Sequence, residues 1–305
     1  MVVSRKEPTK GTRTATFGVS KRESHNAEDF YDRFPPLKQD TDLLPEAPKI
    51  MNELFVGDSR NMKEVNNNSV ALVVTSPPYY VGKEYELERE KEGVPASYAD
   101  YLQMLSDVFT ECWRVLEPGG RIAVNVANLG RKPYRSLAAD IVHILQDDIG
   151  FLLRGEIIWI KAEGASGSCA WGSFQSASNP VLRDVTERVI VASKLRLDRS
   201  LTRKQRQAEG FPHIDTITKE DFMACTLDTW RIQPASAKRI GHPAPFPLEL
   251  PRRLIELYSY QGDLILDPFC GAGTTPIAAM ETGRNYVGYD TDLDYINRAH
   301  ERLKP

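Results

Sequence analysis

The sequence predicts an α/β protein built around a mostly parallel sheet. Two short apolar runs, Val70–Val74 and Leu264–Leu266, have the composition of strands buried on both faces. Amphipathic helices are predicted over Tyr98–Leu116 and Pro247–Ser259, where apolar residues recur every three to four positions. Strands that alternate with helices along a chain indicate a parallel sheet covered by helices on both faces.

Composition limits the class of protein. The chain has 305 residues, of which 41% are hydrophobic, enough to bury a substantial core. A net charge of −3 gives no global electrostatic sign of a nucleic-acid partner. No apolar run approaches the ~20 residues needed to span a bilayer, and the N-terminus lacks the apolar stretch of a secretory signal. The four cysteines have no metal-ligand spacing, so we expect a cytoplasmic protein with reduced thiols and no metal.

The remaining elements follow in chain order. Residues 1–48 are polar and aperiodic, which predicts a flexible extension, and residues 49–305 form the folded domain. Glycine, proline and charged residues separate the other periodic segments. The predicted strands are 52–56, 121–127, 151–161, 188–193 and 286–290, and the predicted helices are 136–147, 276–281 and 293–303, with a helical turn over 59–65.

A proline-rich loop ends the first buried strand. Ser76, Pro77, Pro78 and Tyr79 follow directly, and proline forces an extended, non-helical path. Open α/β sheets bind ligands at the carboxyl ends of their strands. The loop offers the Ser76 hydroxyl and the Ser76 and Pro77 carbonyls as acceptors beside an aromatic ring, which suits a planar group that bears an amine. A plain strand-closing turn is the alternative.

A second candidate site follows the strand near the end of the chain. Asp267, Pro268, Phe269, Gly271, Gly273 and Thr274 lead into a helix, and Asp290 ends the next strand, where it suits ribose hydroxyls. A dinucleotide fingerprint would need a third glycine where Pro276 stands. Asp267 would repel a pyrophosphate but attract a cation. S-adenosylmethionine, with its sulfonium and ammonium groups, therefore fits better than a nicotinamide cofactor.

Together these two motifs resemble a known family. Asp-Pro-Phe-Cys-Gly-Ala-Gly-Thr-Thr, residues 267–275, is similar to the methionine-side cofactor motif of DNA amino-methyltransferases, and Thr-Ser-Pro-Pro-Tyr, residues 75–79, to their catalytic motif. Residues 241–247 and 171–183 add weaker matches. The catalytic motif comes first, an order that resembles the circularly permuted β group. The resemblance covers about residues 50–305.

The resemblance implies a fold and roles for single residues. The fold would be the Rossmann-like S-adenosylmethionine-dependent methyltransferase fold, with a seven-stranded, mostly parallel sheet and helices on both faces. The strand before Asp58 would lie beside the strand that ends at Asp290. Asp58 would then bind the adenine amine of the cofactor, Asp290 its ribose, and Asp267 with the glycine loop its methionine part. For Asp58 a simple turn cap is the alternative.

The implied reaction is methyl transfer to a base amine, which leaves S-adenosylhomocysteine. Ser76 Oγ and the Pro77 carbonyl would accept the hydrogens of the amine, and Tyr79 would stack on a base flipped out of duplex DNA. In the family, Ser at the first motif position accompanies mostly cytosine N4, and Asp adenine N6. Ser76 therefore implies N4-methylcytosine, with adenine N6 as the alternative. None of the four cysteines follows a proline, which argues against cytosine C5 chemistry.

A basic run is the candidate DNA contact. Its members, on which we expect phosphate to bind, are Lys194, Arg196, Arg199, Arg203 and Lys204. The run opens a predicted target-recognition region of about residues 194–240; a solvated helix face is the alternative. The resemblance further implies double-stranded DNA as partner, with a cognate restriction endonuclease, a homodimer and association with the nucleoid as options. A non-catalytic DNA-binding protein with the same fold is the competing function.

Overall fold

The fold is organised by one twisted sheet. The structure, a computed structural model, describes residues 40, 42–78, 97–128, 133–161, 172–234 and 247–304. Within these ranges, eight strands form the sheet in the order β1-β8-β7-β2-β3-β5-β4-β6. They are β1 (Glu53–Val56), β2 (Val70–Thr75), β3 (Leu116–Val126), β4 (Leu152–Ile160), β5 (Thr186–Ser193), β6 (Thr229–Arg231), β7 (Leu264–Asp267) and β8 (Asn285–Asp290).

Strand direction defines two edges of the sheet. Every neighbouring pair is parallel except β3/β5 and β5/β4, so seven of the strands in the described ranges run one way and β5 runs the other. We call the edge where the seven strands end the carboxyl edge, and the opposite one the amino edge. The loop from β4 to β5 therefore lies at the carboxyl edge, and the segment that follows β5 lies at the amino edge.

Helices cover both faces. They are α1 (Tyr98–Val115), α2 (Leu137–His143), α3 (Arg203–Ala208), α4 (Lys219–Cys225), α5 (Glu249–Tyr258), α6 (Thr274–Glu281) and α7 (Leu293–Leu303), and a π-helical segment, Ile144–Ile149, continues α2. Helices α1 and α2 share one apolar core with the sheet, and α5 and α6 share a second. Helix α1 begins where Ser97 Oγ accepts from the Asp100 amide at 3.1 Å, and it buries a stripe from Tyr101 to Val115.

Most of the predicted elements are confirmed, with shifted ends. Helix α7 has the predicted bounds, and β1 pairs with β8 as expected, with Val56 opposite Asp290. The sheet has one strand more than the predicted seven, because the three-residue β6 pairs with β4 as an outermost strand. A strand of three residues is too short for an alternation of apolar and polar residues to be recognised in the sequence. The predicted helical turn over 59–65 is a series of turns instead.

The folded body begins before residue 49, earlier than predicted. The compact unit runs Gln39–Pro305. The Glu46 amide donates to the Asn68 carbonyl at 2.8 Å, and the Lys49 amide donates to Asn66 Oδ1 at 3.1 Å. Residues 42–48 therefore belong to the body, and the rest of the predicted extension, residues 1–39 and 41, lies outside the described ranges. Within those ranges, no helix combines the length and apolarity that crossing a membrane requires.

Candidate active site

Two distant motifs meet at the carboxyl edge. Strands β2 and β7 are parallel neighbours, with Leu72 opposite Ile265 and Val73 opposite Leu266. This register carries both strands to the same edge. There Thr75 Oγ1 donates to Asp267 Oδ1 at 2.7 Å, in the interior and across 192 residues of sequence. The proline loop and the Asp-Pro-Phe-Cys-Gly loop thus form the two sides of one site.

The proline loop is partly buried and is held in place by a residue of helix α1. Pro77 is buried, and Ser76 and Pro78 are half-buried. The Tyr101 hydroxyl, from the first turns of α1, donates to the Pro78 carbonyl at 2.8 Å, and its side chain is 2% exposed. Two proline rings and this hydrogen bond restrict the loop to one path, which fixes where the Ser76 side chain starts. Tyr79, the predicted stacking residue, lies outside the described ranges.

Asp267 is a buried acid with an unusual pKa. Burial raises the pKa of Asp267 to about 6, and the nearby charge of Asp290 adds to that rise. Hydrogen bonds from Thr75, Thr275 and the Phe269 amide lower the pKa but do not cancel the effect of burial. The Phe269 amide donates to Asp267 Oδ1 at 3.1 Å. Asp267 is therefore mostly ionised at neutral pH, yet its charge is incompletely compensated. A buried carboxylate in that state favours a cationic ligand.

The glycine loop is tied to the end of β8. The Gly271 amide donates to Asp290 Oδ2 at 2.9 Å, and the Cys270 amide to the Tyr289 carbonyl at 2.9 Å. Gly273 has a φ of +78°, and a Cβ there would lie 2.8 Å from Ala299 Cβ in α7. Pro268 and Thr274 are buried on either side, and Phe269 is half-buried. Only glycine at position 273 allows the loop to approach α7 this closely. Asp290 also holds the loop in place through the Gly271 amide, whether or not it contacts a ligand.

Asp58 lies at the end of β1 and is exposed. The neighbouring Gly57 amide donates to the Asp290 carbonyl at 2.9 Å, so the two acids end adjacent strands. Arg60 donates to Asp58 through Nε at 2.8 Å and Nη2 at 2.5 Å, and this hydrogen bonding lowers the pKa of Asp58. A ligand amine that binds Asp58 must therefore displace or rearrange Arg60.

The basic run follows β5 and so lies at the amino edge, and the contacts of Lys194 and Arg199 contradict the phosphate role predicted for these two residues. Lys194 is buried; its ammonium donates to the Leu116 carbonyl at 2.7 Å, and burial lowers the pKa of Lys194 to about 8. Arg199 bridges two acids, Glu117 at the start of β3 and Asp263 just before β7. These side chains hold the segment to the sheet and are not available to phosphate.

The rest of the run lies on the same side. Arg196 pairs with Asp198 at 3.0 Å, and Arg203 lies 3.5 Å from Asp215. Lys204 is exposed on α3. The Arg206 guanidinium, 1% exposed, joins the buried pair of acids, Glu117 and Asp263. The predicted start of the recognition region at residue 194 therefore lies at the amino edge, at the opposite ends of the strands from Ser76.

The β4–β5 loop reaches the carboxyl edge. Its described part folds on itself through a bridge between Gly172 and Pro180, with the Ser173 amide donating to the Asn179 carbonyl at 2.9 Å. Phe174 and Leu182 are exposed there. The described part of the loop therefore exposes apolar side chains. Trp171 and the 241–246 part of the motif at residues 241–247 lie outside the described ranges.

A polar group inside the sheet was missed by the sequence analysis. Asn125 of β3 is buried, and its Nδ2 donates to Glu187 Oε2 at 2.6 Å; Lys161 Nζ lies 2.9 Å from Glu187 Oε1. The signal was present, because asparagine interrupts the apolar run Ile122–Val126. Its partners come from β5 and from the residue that follows β4, which the sequence alone does not place beside β3.

Known proteins share this sequence and this fold. A family model described as DNA methylase, of the N6/N4 type, matches residues 70–301. The chain belongs to the N6/N4 DNA methylase family. It is 31% identical over 271 residues to the Type II methyltransferase M.MjaI of Methanocaldococcus jannaschii, covering 79% of this chain and 87% of that protein.

Solved structures agree with this family. A candidate DNA modification methylase of Thermus thermophilus, TTHA0409, complexed with S-adenosyl-L-methionine, superposes with a TM-score of 0.61 at 31% identity, covering 82% of this chain and 92% of that one. PvuII DNA methyltransferase, which is cytosine-N4-specific, superposes with a TM-score of 0.63 at 19% identity, covering 87% and 90%. The latter similarity shows the fold alone. This N6/N4 methylase has the fold of the S-adenosylmethionine-dependent methyltransferases and uses that cofactor.

Proposed function

We propose that this methylase is a site-specific enzyme that transfers a methyl group to the exocyclic N4 amine of cytosine in duplex DNA. The observation that carries the proposal is the position of Ser76. It begins the Ser-Pro-Pro loop at the end of β2, directly beside the strand that ends in Asp267. The base amine and the methyl donor would then meet between the two loops. The order of the two motifs supports assignment to the circularly permuted β group.

The residues around Asp267 fit the cofactor. S-adenosylmethionine, when bound, supplies a methyl group on a sulfonium. Asp267 provides a buried negative charge for the cationic end, and the glycine loop allows close approach of the backbone. Asp290 ends β8 and Asp58 follows the adjacent β1, which supports the ribose and the adenine amine as the groups that they would bind.

The chain's own contribution to the chemistry is to localise a lone pair. The amine of cytosine is a weak nucleophile, because its lone pair is delocalised into the ring. Ser76 Oγ and the Pro77 carbonyl would each accept a hydrogen bond from the amine, and these two bonds would hold the nitrogen in a more tetrahedral geometry. Acceptor dipoles that are already fixed also stabilise the positive charge that develops on nitrogen. After the methyl group has moved from sulfur to nitrogen, the nitrogen would release one of its two hydrogens to solvent as a proton. The remaining acceleration would come from positioning, which the Tyr101 bond to Pro78 supports.

The base must leave the helix to reach this site, which costs a few kcal/mol. The duplex would lie along the carboxyl edge, where β2 and β7 end at the two loops of the site. Relatives named as Type II methyltransferases support a restriction endonuclease that recognises the same sequence, and a prokaryotic cytoplasm as the setting. Adenine N6 is the alternative target in this family.

The test uses tritiated S-adenosylmethionine, mixed-sequence duplex DNA and nucleoside chromatography. We expect label in N4-methylcytosine, and a Ser76→Ala variant that binds the cofactor normally but transfers at least 100-fold more slowly, roughly the loss seen when one such preorganised group is removed. Label in N6-methyladenine would reassign the target base. An unlabelled duplex with every sequence tried, despite cofactor binding, would refute DNA methylation.

A further inference from the structure

The polar group of Asn125, Glu187 and Lys161 has no place in the mechanism above, yet it lies inside the sheet near the site. Asn125 is 2% exposed and Glu187 is 8% exposed. An amide and a carboxylate are unfavourable in an apolar interior unless they are hydrogen-bonded. Here the carboxylate is shared between the Asn125 amide, at 2.6 Å, and the Lys161 ammonium, at 2.9 Å. An apolar residue at position 125 would avoid that arrangement altogether, which suggests that the amide serves a purpose.

The strand register puts this group beside the proline loop. Thr75 pairs with Val124, and Val74 pairs with Ala123. Ser76 therefore comes next to Asn125 on the adjacent strand, at the usual spacing of about 4.8 Å between strands. Pro77 keeps Ser76 in an extended conformation. Because side chains alternate, Ser76 and Asn125 project to the face that Val74 and Ala123 share.

The amide is oriented by its partner. Since Nδ2 donates to Glu187, the carbonyl Oδ1 of Asn125 occupies the other end of the planar amide, turned away from that carboxylate. A serine hydroxyl that accepts a hydrogen bond from a base amine must donate its own hydrogen to a different acceptor. A hydroxyl that donates to a carbonyl is also a stronger acceptor, because hydrogen bonds in a chain polarise one another.

We propose that Asn125 is a positioning residue for Ser76. Held by Glu187, its Oδ1 accepts the Ser76 hydroxyl hydrogen once the target amine is bound, and so turns a Ser76 lone pair toward that amine. Lys161 balances the charge of Glu187, which keeps the carboxylate from competing for the amine. The inference rests on the proposed function, because it assigns a partner to the residue that performs it. No proton or electron pair is transferred along the chain of groups.

The test compares Asn125→Ala with Val189→Ala. Val189 is the buried register partner of Asn125 in β5, so its truncation perturbs the same part of the sheet without touching the amide. Single-turnover methylation is measured at saturating cofactor, with cofactor Kd and thermal unfolding measured in parallel. We expect Asn125→Ala to slow methylation about 10-fold or more, with cofactor Kd unchanged, because a hydrogen bond in the transition state is lost. Val189→Ala is expected to stay within about 3-fold of wild type, since apolar truncation in a core acts mainly on stability.

Conservative substitution gives a second readout. Glu187→Gln keeps an oxygen that accepts from Asn125, so it should retain much more of the rate than Glu187→Ala. A double variant with Ser76→Ala should be no slower than Ser76→Ala alone, because both residues act through one hydroxyl. Equal losses for Asn125→Ala and Val189→Ala, or multiplied losses in the double variant, would overturn the inference while leaving the function intact. An inactive wild type would instead remove the proposed function, and the inference with it.

Discussion

Thr75 Oγ1 donates to Asp267 Oδ1 at 2.7 Å, and this buried bond joins the strand that carries the proline loop to the strand that carries the glycine loop. It links the two halves of the site directly. It also stabilises the ionised form of Asp267, because a donor to a carboxylate favours the charge. The bond therefore connects the strand that leads into Ser76 to the charge state of Asp267.

The pKa of Asp267 predicts how cofactor binding depends on pH. Burial raises it to about 6, so the carboxyl group gains a proton as pH falls through that value. Affinity for a cation should be highest above pH 6, and below it should weaken toward about 10-fold per pH unit, the limit for one proton. Isothermal titration of S-adenosylmethionine between pH 5 and pH 8 measures this, and a flat profile would contradict it.

Stability of the free protein should change in the opposite sense. A folded-state pKa above the ordinary 3.8 means that the native state holds a proton that the unfolded chain releases. The contribution of Asp267 is therefore greatest below about pH 4 and falls as pH rises toward 6. Asp267→Asn should remove both dependences, and Thr75→Val should move the binding transition to higher pH. Thr110→Val, on the exposed face of α1, is the matched control that should change neither.

Tyr101→Phe tests the support of the proline loop. The substitution deletes one hydroxyl and leaves the Pro78 carbonyl without the donor it has at 2.8 Å. A buried acceptor that loses its partner costs about 1–3 kcal/mol, so we expect the methylation rate to fall roughly 5- to 100-fold with cofactor Kd unchanged. Tyr98→Phe is the control, because it deletes a hydroxyl from the same helix, one that donates to Asp140 at 2.6 Å. Equal rates for the two variants would show that the Pro78 contact does not matter to turnover.

Arg206→Met tests the structural role of the basic run. Arg206 lies between Glu117 and Asp263, and its removal leaves buried carboxylates short of a partner. Breaking such a pair costs about 3–5 kcal/mol, which urea unfolding measures. Arg203→Met, at an exposed position, should change stability by about 0.5 kcal/mol or less.

The same helix provides a test at the DNA level. A double variant, Arg203→Gln with Lys204→Gln, should leave DNA affinity and its salt dependence as in wild type, because α3 follows β5 at the amino edge. A salt slope reduced by about 2, one for each lost phosphate contact, would restore this helix to the DNA interface.

Gly273→Ala tests the closest approach of the glycine loop. The new Cβ would meet Ala299 Cβ at 2.8 Å and would also need a φ of +78°. Gly150→Ala supplies the comparison, since Gly150 has a φ of +92° and open space around it. Strain of positive φ alone costs about 1 kcal/mol, so any larger loss in Gly273→Ala reports the contact with α7. We expect that loss, together with weaker cofactor binding; equal stabilities would show that α7 simply moves aside.

The sequence predicts this fold where local signals and tertiary structure agree. Helix α7 has the predicted bounds because Asp292 caps its first turn and its apolar stripe is regular. The pairing of β1 with β8 was predicted from the family resemblance and is confirmed. Strand β6 was not predicted, because it forms through tertiary pairing with β4 and its three residues carry no recognisable strand pattern.

Side-chain roles were harder to predict than elements. A run of arginines and lysines has the same composition whether it faces a phosphate or a buried acid. The acids that neutralise Arg199 lie 82 and 64 residues away in the sequence, and only the sheet brings them together. Tyr101 belongs to the helix predicted over Tyr98–Leu116 and its ring is buried, but its hydroxyl bond to Pro78 depends on how α1 packs beside the end of β2.

The strand order has a consequence for how the enzyme is made. Of the strands that the structure describes, β1 leaves the ribosome first, yet its partner in the sheet is β8, and the paired residues are 234 positions apart, from Glu53 with Val287 to Val56 with Asp290. Such long-range pairing closes late. A nascent chain therefore carries its proline loop long before it carries Asp267 or Asp290, the acids of the proposed cofactor site. Methylation activity should appear only once synthesis has passed Asp290 and β8 has left the ribosome.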